Sequence, residues 1–460
     1  MVKPPFSLPS FFKCAPYVTI SNGRFEGEGE KTLKANKRPV RLVSAVSAML
    51  VGWLFAMTLG STAAYAAKSY TPNTLGLEVS SAILIDVDTG QVLYQVDQDT
   101  PHPPASMTKM MTEYIVLDEI KSGRLKWDDI VTATKAAAST PADGSQIYLA
   151  EGDKHTVKDL YIAMAVGSAN DATVALADHI GGTEQGFVQK MNETAKSLGL
   201  NSAHFTTATG LTDTTVISAA DLAKFARILL LKHPEFLDYS KIPSYKFRER
   251  DKNPMINWNW MLESNKNVQA LKKFAYPGVD GMKTGYIGAA GYCFTGTAKR
   301  GDMRLISVVM GTSSKEARFL ETAKLFDYGF NNFERKTVVA PKTVVKNAES
   351  VKIKKGVSKQ VPIVTANDVS FLVKKGVEPN IEQTNISLKG EDQLVAPIKQ
   401  GQVVGTVTFA YKDPDTGKSI QNTVNLIASE DVDKASWWRL MFRSIGDFFA
   451  GLFKGIVNLF

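Results

Sequence analysis

The spacing of apolar residues changes along the chain, and each period predicts a kind of element. Two alternating apolar runs, SSAILIDVDTGQVLYQVDQDT at residues 80–100, surround a turn at Asp88-Thr89-Gly90 and predict a β-hairpin. Residues 106–230 show mainly helical periodicity. After Pro277, short apolar segments between Gly-rich turns predict strands, and SKEARFLETAKLFDYGF predicts a closing helix. This order predicts an antiparallel sheet covered by helices.

The remaining chain has two further patterns. From Phe333 to Glu430, Val, Thr and Lys alternate between Pro, Gly and Asn, which predicts a small all-β domain. In SWWRLMFRSIGDFFAGLFKGIVNLF, residues 436–460, polar residues recur at helical spacing and interrupt every apolar run. A spanning helix needs about 18 apolar residues. We therefore predict an amphipathic helix in a membrane interface, with a helix packed on its own domain as the alternative.

The N-terminal 66 residues have the pattern of an export signal. Basic KRPVR precedes an apolar run at residues 42–59, and Ala64-Tyr65-Ala66 fits a signal-peptidase site. The predicted mature chain starts near Ala67, although the apolar run is long enough for an uncleaved anchor. We expect a signal segment at 1–66, an α+β domain at 67–332, the all-β domain at 333–435 and the terminal helix at 436–460.

Charge, cysteine and histidine usage argues against several classes of function. The net charge is +8, of which residues 1–66 contribute +5 from eight Lys/Arg and three Glu, so we expect no nucleic-acid partner. Cys14 would leave with the signal segment, and Cys293 in GYCFTGTA is predicted to be a buried core residue. The five histidines show no ligand-like spacing, so neither a metal nor another cofactor is expected.

The stretch PPASMTKMMTEYIVLDEI, residues 103–120, carries the first candidate chemistry. Its periodicity predicts a helix, yet its first turn holds Lys109 at the positive end of the helix dipole. Ser106 lies three residues earlier and therefore on the same face. Burial at this position would lower the pKa of the lysine. A neutral lysine one turn from a serine can act as a general base for a nucleophilic hydroxyl.

The Ser-x-x-Lys motif alone is weak evidence for catalysis, because the same spacing also occurs at Ser10–Lys13. Two further motifs strengthen it, Ser168-Ala169-Asn170 and Lys283-Thr284-Gly285, each of which occurs once. Ser168 could instead cap the helix that follows, and Lys-Thr-Gly could be a plain step from strand to turn. Together and in this order, the three motifs are typical of penicillin-binding proteins and class A β-lactamases.

With these motifs and flanking segments such as MNETAKSLGLNSAHFTTATGL, the chain resembles the low-molecular-weight penicillin-binding proteins of the D-alanyl-D-alanine carboxypeptidase type. The resemblance extends through the β-rich domain and the terminal helix. It implies a penicillin-binding/β-lactamase-like domain in an α+β protein. The implied partners are peptidoglycan stem peptides, β-lactams as covalent inhibitors, and a membrane surface through residues 437–460. The implied location is the outer face of the bacterial cytoplasmic membrane.

The resemblance also implies a role for each motif residue. Ser106 would be the acylated nucleophile, Lys109 its base, and Ser168 part of the proton relay to the leaving amine. Asn170 would line the cleft. The substrate's terminal carboxylate would be held by Lys283 and Thr284, Gly285 would allow close backbone approach, and the N–H groups of Ser106 and Tyr286 would form the oxyanion hole.

Three alternatives to this activity stay open at this point. A class A β-lactamase shares the motifs, but normally has Asp where Ala169 stands and needs a deacylating glutamate, which NSAHFTTATGLTDT lacks. The all-β domain and terminal helix have no place in such an enzyme. A transpeptidase would use a second stem peptide as acceptor instead of water. A wall-binding or β-lactam-sensing protein would use the fold without turnover.

Overall fold

A computed structural model describes residues 72–413, 417 and 419–457. The predicted export segment at residues 1–66, its cleavage site and Cys14 lie outside this part of the chain.

The first domain combines eleven strands with eight α-helices in the described residues. The strands are β1 (Ser81–Asp86), β2 (Val92–Val96), β3 (Pro101–His102), β4 (Ile130–Thr132), β5 (Lys154–Thr156), β6 (Ile217–Ser218), β7 (Ser244–Tyr245), β8 (Met255–Ile256), β9 (Val279–Ile287), β10 (Gly291–Arg300) and β11 (Met303–Thr312). The helices are α1 (Lys109–Lys121), α2 (Lys135–Ala138), α3 (Val157–Gly167), α4 (Asn170–Gly181), α5 (Glu184–Ser197), α6 (Ala219–Lys232), α7 (Phe236–Ser240) and α8 (Ala317–Asn332). Single 3₁₀ turns occur at Ala105–Thr108 and Glu263–Asn267.

The central sheet has five antiparallel strands in the order β2–β1–β11–β10–β9. Successive side chains of a strand point to opposite faces, and here both faces are covered. In β1, Ile83 and Ile85 pack with the core formed by α1 and α3–α6, whereas Ala82 and Leu84 pack with the core that contains α8. The predicted helix-covered antiparallel sheet is therefore confirmed, and its first and last strands come from opposite ends of the domain.

The second domain is all-β, as predicted. Its strands are β12 (Phe333–Val339), β13 (Ser350–Lys352), β14 (Gln360–Thr365), β15 (Val369–Lys374), β16 (Ile381–Leu388), β17 (Val403–Lys412) and β18 (Ser419–Ala428). β12 pairs with β15, and the other five form an antiparallel sheet in the order β13–β14–β18–β17–β16. Arg335 forms salt bridges with Asp86 at 2.8 Å and Asp88 at 2.7 Å, which tie β12 to the first hairpin.

The chain continues into a long amphipathic helix, α9 (Trp437–Val457). Its polar side faces the all-β domain, because the Arg443 guanidinium donates to the carbonyls of Gly356 and Val357 and Asp447 pairs with Lys359. Large apolar side chains on the rest of the helix are exposed: Trp437, Trp438, Met441, Phe442, Ile445, Phe448 and Phe449. Across the described residues, every helix is too short or too polar to cross a bilayer.

Candidate active site

The nucleophile candidate lies in a strained turn just before α1. Ala105 has a φ of +50°, unusual for a residue with a Cβ, and starts the 3₁₀ turn that contains Ser106. The α-helix begins only at Lys109, so the prediction of a helix that starts directly after Pro104 was wrong for its first residues, which form the 3₁₀ turn. The tighter turn leaves the Ser106 side chain half-buried and the Lys109 side chain fully buried.

Lys109 Nζ has three neighbours that account for its bonding capacity. It lies 2.7 Å from Asn170 Oδ1, 3.0 Å from the Thr209 carbonyl oxygen and 2.9 Å from Ser106 Oγ. The first two are acceptors only. A neutral amine has two hydrogens for these acceptors and one lone pair, which is left for the hydroxyl proton of Ser106. The geometry therefore suits a lysine base beside a serine nucleophile.

The electrostatic environment favours the same protonation state. Burial is the largest influence and holds the pKa of Lys109 well below its usual value. Repulsion by Lys283 lowers this pKa further, whereas Glu113 and Asp171 act in the opposite direction. The lysine that breaks the helix-dipole rule is thus shielded from water and opposed by a second cation.

The second motif lies between α3 and α4. Ser168 ends α3 with a φ of +58°, and this left-handed residue turns the chain so that Asn170 can begin α4 beside Lys109. The suggestion that Ser168 caps α4 is wrong, because Ala169 is the N-cap and no side chain caps the helix. Ser168 Oγ is buried and has no hydrogen-bond partner among the described residues. Its hydroxyl therefore has hydrogen-bonding capacity that the described residues do not use.

Asp171, which the sequence analysis missed, fixes the loop beside this motif. Its carboxylate accepts hydrogen bonds from the N–H groups of Ile147 and Leu149, at 3.0–3.1 Å. Arg248 donates to the Ile147 carbonyl from the other side at 2.6 Å. Between these anchors, Tyr148 is 72% exposed and has a φ of +57°. The sequence feature that could have indicated Asp171 is a charged residue directly after Asn170.

The third motif is on β9, at the edge of the sheet. Lys283 and Thr284 are buried, whereas the Tyr286 side chain is half-exposed and stacks on Tyr292 with ring centroids 4.2 Å apart. An edge strand has unpaired backbone groups that can bind an extended peptide. The alternative of a plain strand-to-turn step is wrong, because all three motif residues lie within the strand.

Gly285 permits direct contact between β9 and the nucleophile turn. A Cβ at this position would be 2.4 Å from the Pro104 carbonyl oxygen and 3.3 Å from both Ala105 Cβ and Met107 Cγ. The close approach predicted for this glycine is therefore to the turn that carries Ser106. This contact brings the first and third motifs to one place, although Ser106 and Lys283 are 177 positions apart in the sequence.

Two buried charged groups beside Lys283 were also missed. Glu113 on α1 attracts the lysine, and Arg318 on α8 repels it; with burial as the main cause, the pKa of Lys283 falls to about 8. Arg318 also donates to the Gly285 carbonyl at 3.3 Å. Glu113 is one turn after Lys109, and burial raises the pKa of its carboxyl to about 8. In the sequence, only its spacing of four residues from Lys109 could have indicated that Glu113 lies near the site.

Cys293 is fully buried in β10, as predicted, and burial raises the pKa of its thiol to about 11. A thiolate nucleophile at neutral pH is therefore disfavoured. The described residues contain no group of three or more His, Cys, Asp or Glu side chains arranged to hold a metal ion.

Comparison with known proteins gives two adjoining family matches. The model described as D-alanyl-D-alanine carboxypeptidase matches residues 67–314, and the model of the penicillin-binding protein 5 C-terminal domain matches residues 333–434. The D-alanyl-D-alanine carboxypeptidase DacF of Bacillus subtilis is 36% identical over 403 residues, which cover 87% of this chain and 98% of the relative.

Solved structures agree with these matches. Penicillin-binding protein 5 from Haemophilus influenzae superposes with a TM-score of 0.62 at 32% identity, covering 79% of this chain and 99% of that one. A Listeria monocytogenes penicillin-binding protein in its cefotaxime-bound form has a TM-score of 0.50 at 33% identity and covers 56% of this chain and 100% of its own. This chain belongs to the serine-type D-alanyl-D-alanine carboxypeptidase family of penicillin-binding proteins.

Proposed function

We propose that this chain removes the terminal D-alanine from peptidoglycan stem pentapeptides through an acyl-enzyme on Ser106. The observation that carries this proposal is the arrangement around Lys109 Nζ. Two acceptors take the amine hydrogens, and Ser106 Oγ lies 2.9 Å from Nζ, whose lone pair is left for the hydroxyl proton. A serine so placed can lose its proton to the amine as it attacks the peptide carbonyl.

The same groups serve both halves of the reaction. Ser106 Oγ bonds to the carbonyl carbon, and its proton passes to Lys109. The N–H groups of Ser106 and Tyr286 stabilise the oxyanion. The proton then passes through the Ser168 hydroxyl to the leaving D-alanine nitrogen as the C–N bond breaks. Water then attacks the ester carbon as Lys109 takes one of its protons, and Lys109 returns this proton to Ser106 Oγ as the ester C–O bond breaks, which releases the shortened peptide and restores the serine.

Substrate selection is assigned to the edge strand. Lys283 provides a buried cation, and Thr284 a hydroxyl donor, for the terminal carboxylate that a C-terminal D-alanine carries. Asn170 lines the opposite wall and keeps Lys109 in position through its Oδ1. Gly285 keeps the strand against the nucleophile turn, and the Tyr286 backbone completes the pocket.

β-Lactams are expected to acylate the same serine, because their strained amide and carboxylate occupy the positions of the scissile bond and the terminal carboxylate. The match to DacF over 98% of that carboxypeptidase, through both domains, favours this activity over a class A β-lactamase. The Lys109 arrangement favours a catalyst over a wall-binding or β-lactam-sensing protein. Water as acceptor distinguishes the proposed carboxypeptidase from a transpeptidase.

The test is release of D-alanine from peptides ending in D-Ala-D-Ala, together with mapping of a labelled penicillin adduct. Wild-type protein should release D-alanine, should act poorly on L-Ala ends, and should carry the adduct on Ser106. Ser106→Ala should lower kcat by at least about 10⁴-fold and abolish labelling. Ser197→Ala, at an exposed serine of α5, is the matched control. Labelling that persists in Ser106→Ala, or rapid penicillin hydrolysis without D-alanine release, contradicts the assignment.

We further propose that the enzyme is exported and held by α9 on the outer face of the cytoplasmic membrane. In this organisation residues 1–66 are the signal segment, 67–332 the catalytic domain, 333–435 the all-β domain and 436–460 the anchor. The support is the orientation of α9. Arg443 and Asp447 contact the all-β domain, whereas the Trp and Phe side chains of the other side face solvent. Rings exposed in this way are suited to a membrane interface.

A further inference from the structure

Residues 144–149, here called the 144–149 segment, lie against the second motif, and the reaction just described does not use them. The backbone N–H of Asn170 donates to the Ser145 carbonyl at 2.7 Å. The Asp171 carboxylate accepts from two further N–H groups of the segment, at 3.0–3.1 Å. The first two residues of α4 are therefore bonded to this segment, one through its backbone and the other through its side chain.

The segment also limits the space around the Asn170 side chain. A Cβ at Gly144 would be 2.7 Å from Asn170 Nδ2. Non-bonded heavy atoms normally stay about 3.5–4.0 Å apart, so only a glycine leaves room for the amide in its present position. The φ of Gly144 is outside the left-handed region. The contact with Asn170, rather than the backbone conformation, therefore accounts for the glycine at this position.

The other end of the same amide holds the base. Asn170 Oδ1 lies 2.7 Å from Lys109 Nζ, which is at the short end of the usual range for such a hydrogen bond. Nδ2 and Oδ1 belong to one planar amide, so they move together. A methyl group at residue 144 would displace Nδ2, and the amide cannot move closer to Lys109. It would have to turn away, and the amine would lose one of the two acceptors that leave its lone pair for Ser106.

We propose that Gly144 is a positioning residue for this reaction. By leaving room for the amide, it keeps Asn170 Oδ1 bonded to Lys109 and the lone pair of the amine available to the nucleophile. The inference rests on the proposed function, because it takes Lys109 as the base. The segment is also held from outside, since Arg248 donates to the Ile147 carbonyl at 2.6 Å. The position of the base thus depends on contacts outside the three motifs.

The test is Gly144→Ala, assayed by D-alanine release and by the rate of penicillin acylation. Both kcat and the maximal acylation rate should fall by about 10- to 100-fold, because a misplacement of about 1 Å in catalytic geometry costs about 10²-fold. The penicillin concentration that gives half the maximal acylation rate should change by less than about twofold, because carboxylate binding is assigned to β9. The midpoint of thermal unfolding should stay within about 4 °C of wild type, because only the end of a side chain must move.

A double-mutant cycle with Asn170→Ala separates this role from a general disturbance of the cleft. Asn170→Ala removes the amide and should slow acylation by itself, but it also leaves space for a methyl group at residue 144. Adding Gly144→Ala to that variant should therefore slow acylation further by less than about twofold. Equal effects of Gly144→Ala in the two backgrounds would overturn the inference, because the methyl group would then act without the amide. Asp143→Ala, at the exposed neighbouring residue, is the control and should leave acylation unchanged.

Asp171→Asn tests the same segment without adding volume. An amide has one acceptor oxygen instead of two, so the segment would be held less firmly, and acylation should slow by about 3- to 10-fold, comparable to the loss of one net hydrogen bond. Acylation close to the wild-type rate in both Gly144→Ala and Asp171→Asn would contradict the inference. A Gly144→Ala chain that does not fold would also contradict it, because the argument requires only a side-chain shift. The proposed function fails separately: it fails if Ser106→Ala remains active, whatever the behaviour of Gly144→Ala.

Discussion

The active-site cleft and the terminal helix depart from the usual distribution of residues in opposite directions. The cleft buries Lys109, Lys283 and Glu113, whereas α9 exposes aromatic side chains such as Phe442 and Phe448. Buried charges and exposed apolar surfaces are the informative exceptions in a folded protein. In the cleft, burial is unfavourable for the charged forms and therefore shifts the pKa values of these groups. On the helix, the cost of exposure is removed if a lipid surface covers the rings.

The two regions also differ in how they are held in place. In the cleft, Lys109 is fixed by two other segments, because Asn170 of α4 and the Thr209 carbonyl both accept hydrogen bonds from its Nζ. The helix contacts the all-β domain through the half-buried Arg443 and through the Lys359–Asp447 pair, which is more than half exposed at both ends. Exposed ion pairs contribute about 0–1 kcal/mol each. Substitutions should therefore affect catalysis strongly in the cleft and weakly on the helix.

The largest effect in this comparison is expected at Lys283. Lys283→Ala should lower kcat/KM by about 30- to 1000-fold, because a buried carboxylate contact contributes roughly 2–4 kcal/mol. The measurement is D-alanine release from a peptide with a free terminal carboxylate and from its C-terminal amide. Wild-type enzyme should discriminate strongly against the amide, and the variant should discriminate little.

Lys299→Ala is the control for loss of a lysine. Lys299 is exposed on the neighbouring strand, β10, so its removal should change kcat/KM by less than about twofold. If Lys283→Ala discriminates against the amide as well as wild-type enzyme does, the terminal carboxylate binds elsewhere.

A smaller effect is expected from Gly285→Ala. The added methyl group would be 2.4 Å from the Pro104 carbonyl oxygen, so β9 must move away from the nucleophile turn. A shift of about 1 Å in catalytic geometry costs about 10²-fold in rate, and overpacking costs about 1–3 kcal/mol of stability. Penicillin acylation rates and thermal unfolding should both report the change.

Gly288 offers a matched glycine near the end of the same hairpin. A Cβ there would meet nothing within 4 Å, and its φ is not in the left-handed region. Gly288→Ala should therefore leave acylation and stability close to wild type. Equal effects at the two glycines would mean that the contact at Gly285 is unimportant for the site.

The comparison also separates what the sequence could predict from what it could not. Alternation and helical spacing were sufficient for the sheet, the covering helices and the all-β domain, since each depends on local pattern. The motifs indicated Ser106, Lys109 and Asn170, and the structure joins these three by hydrogen bonds. The contact of Gly285 with the nucleophile turn links residues far apart in the sequence. No local pattern encodes such a contact.

Other features depended on packing that only the fold supplies. The 3₁₀ turn before α1 replaces the first turn of a predicted helix, because Ala105 adopts a left-handed conformation. Glu113 has an ordinary position in an amphipathic helix, and only the approach of β9 makes it a neighbour of two lysines. On α9 the sequence was sufficient for the helix and its two faces. The face that contacts the all-β domain could be identified only from the positions of Arg443 and Lys359 in the structure.

The smallest effect on catalysis is expected from changes in α9. A double variant, Phe448→Asp with Phe449→Asp, should release the enzyme from anionic vesicles but leave D-alanine release from small peptides within about twofold of wild type. Both rings are more than 60% exposed, and α9 contacts the all-β domain through other residues. Covering the exposed apolar side chains of α9 would contribute roughly 5–10 kcal/mol before ordering costs. That is sufficient for binding without a second signal.

The measurement is sedimentation with vesicles, using a chain that starts at Ala67 so that the export segment cannot contribute. Truncation after Ala435 should give the same soluble, active enzyme. The control is a double variant, Asn385→Asp with Ser387→Asp, which places the same added charge on the exposed strand β16. It should leave vesicle binding unchanged. This control separates the loss of apolar surface from simple charge repulsion. If the Phe448/Phe449 variant still sediments, the exposed rings do not hold the enzyme to the membrane. If it is soluble but inactive on small peptides, the cleft and the helix are coupled, and the independence argued from their different contacts is wrong.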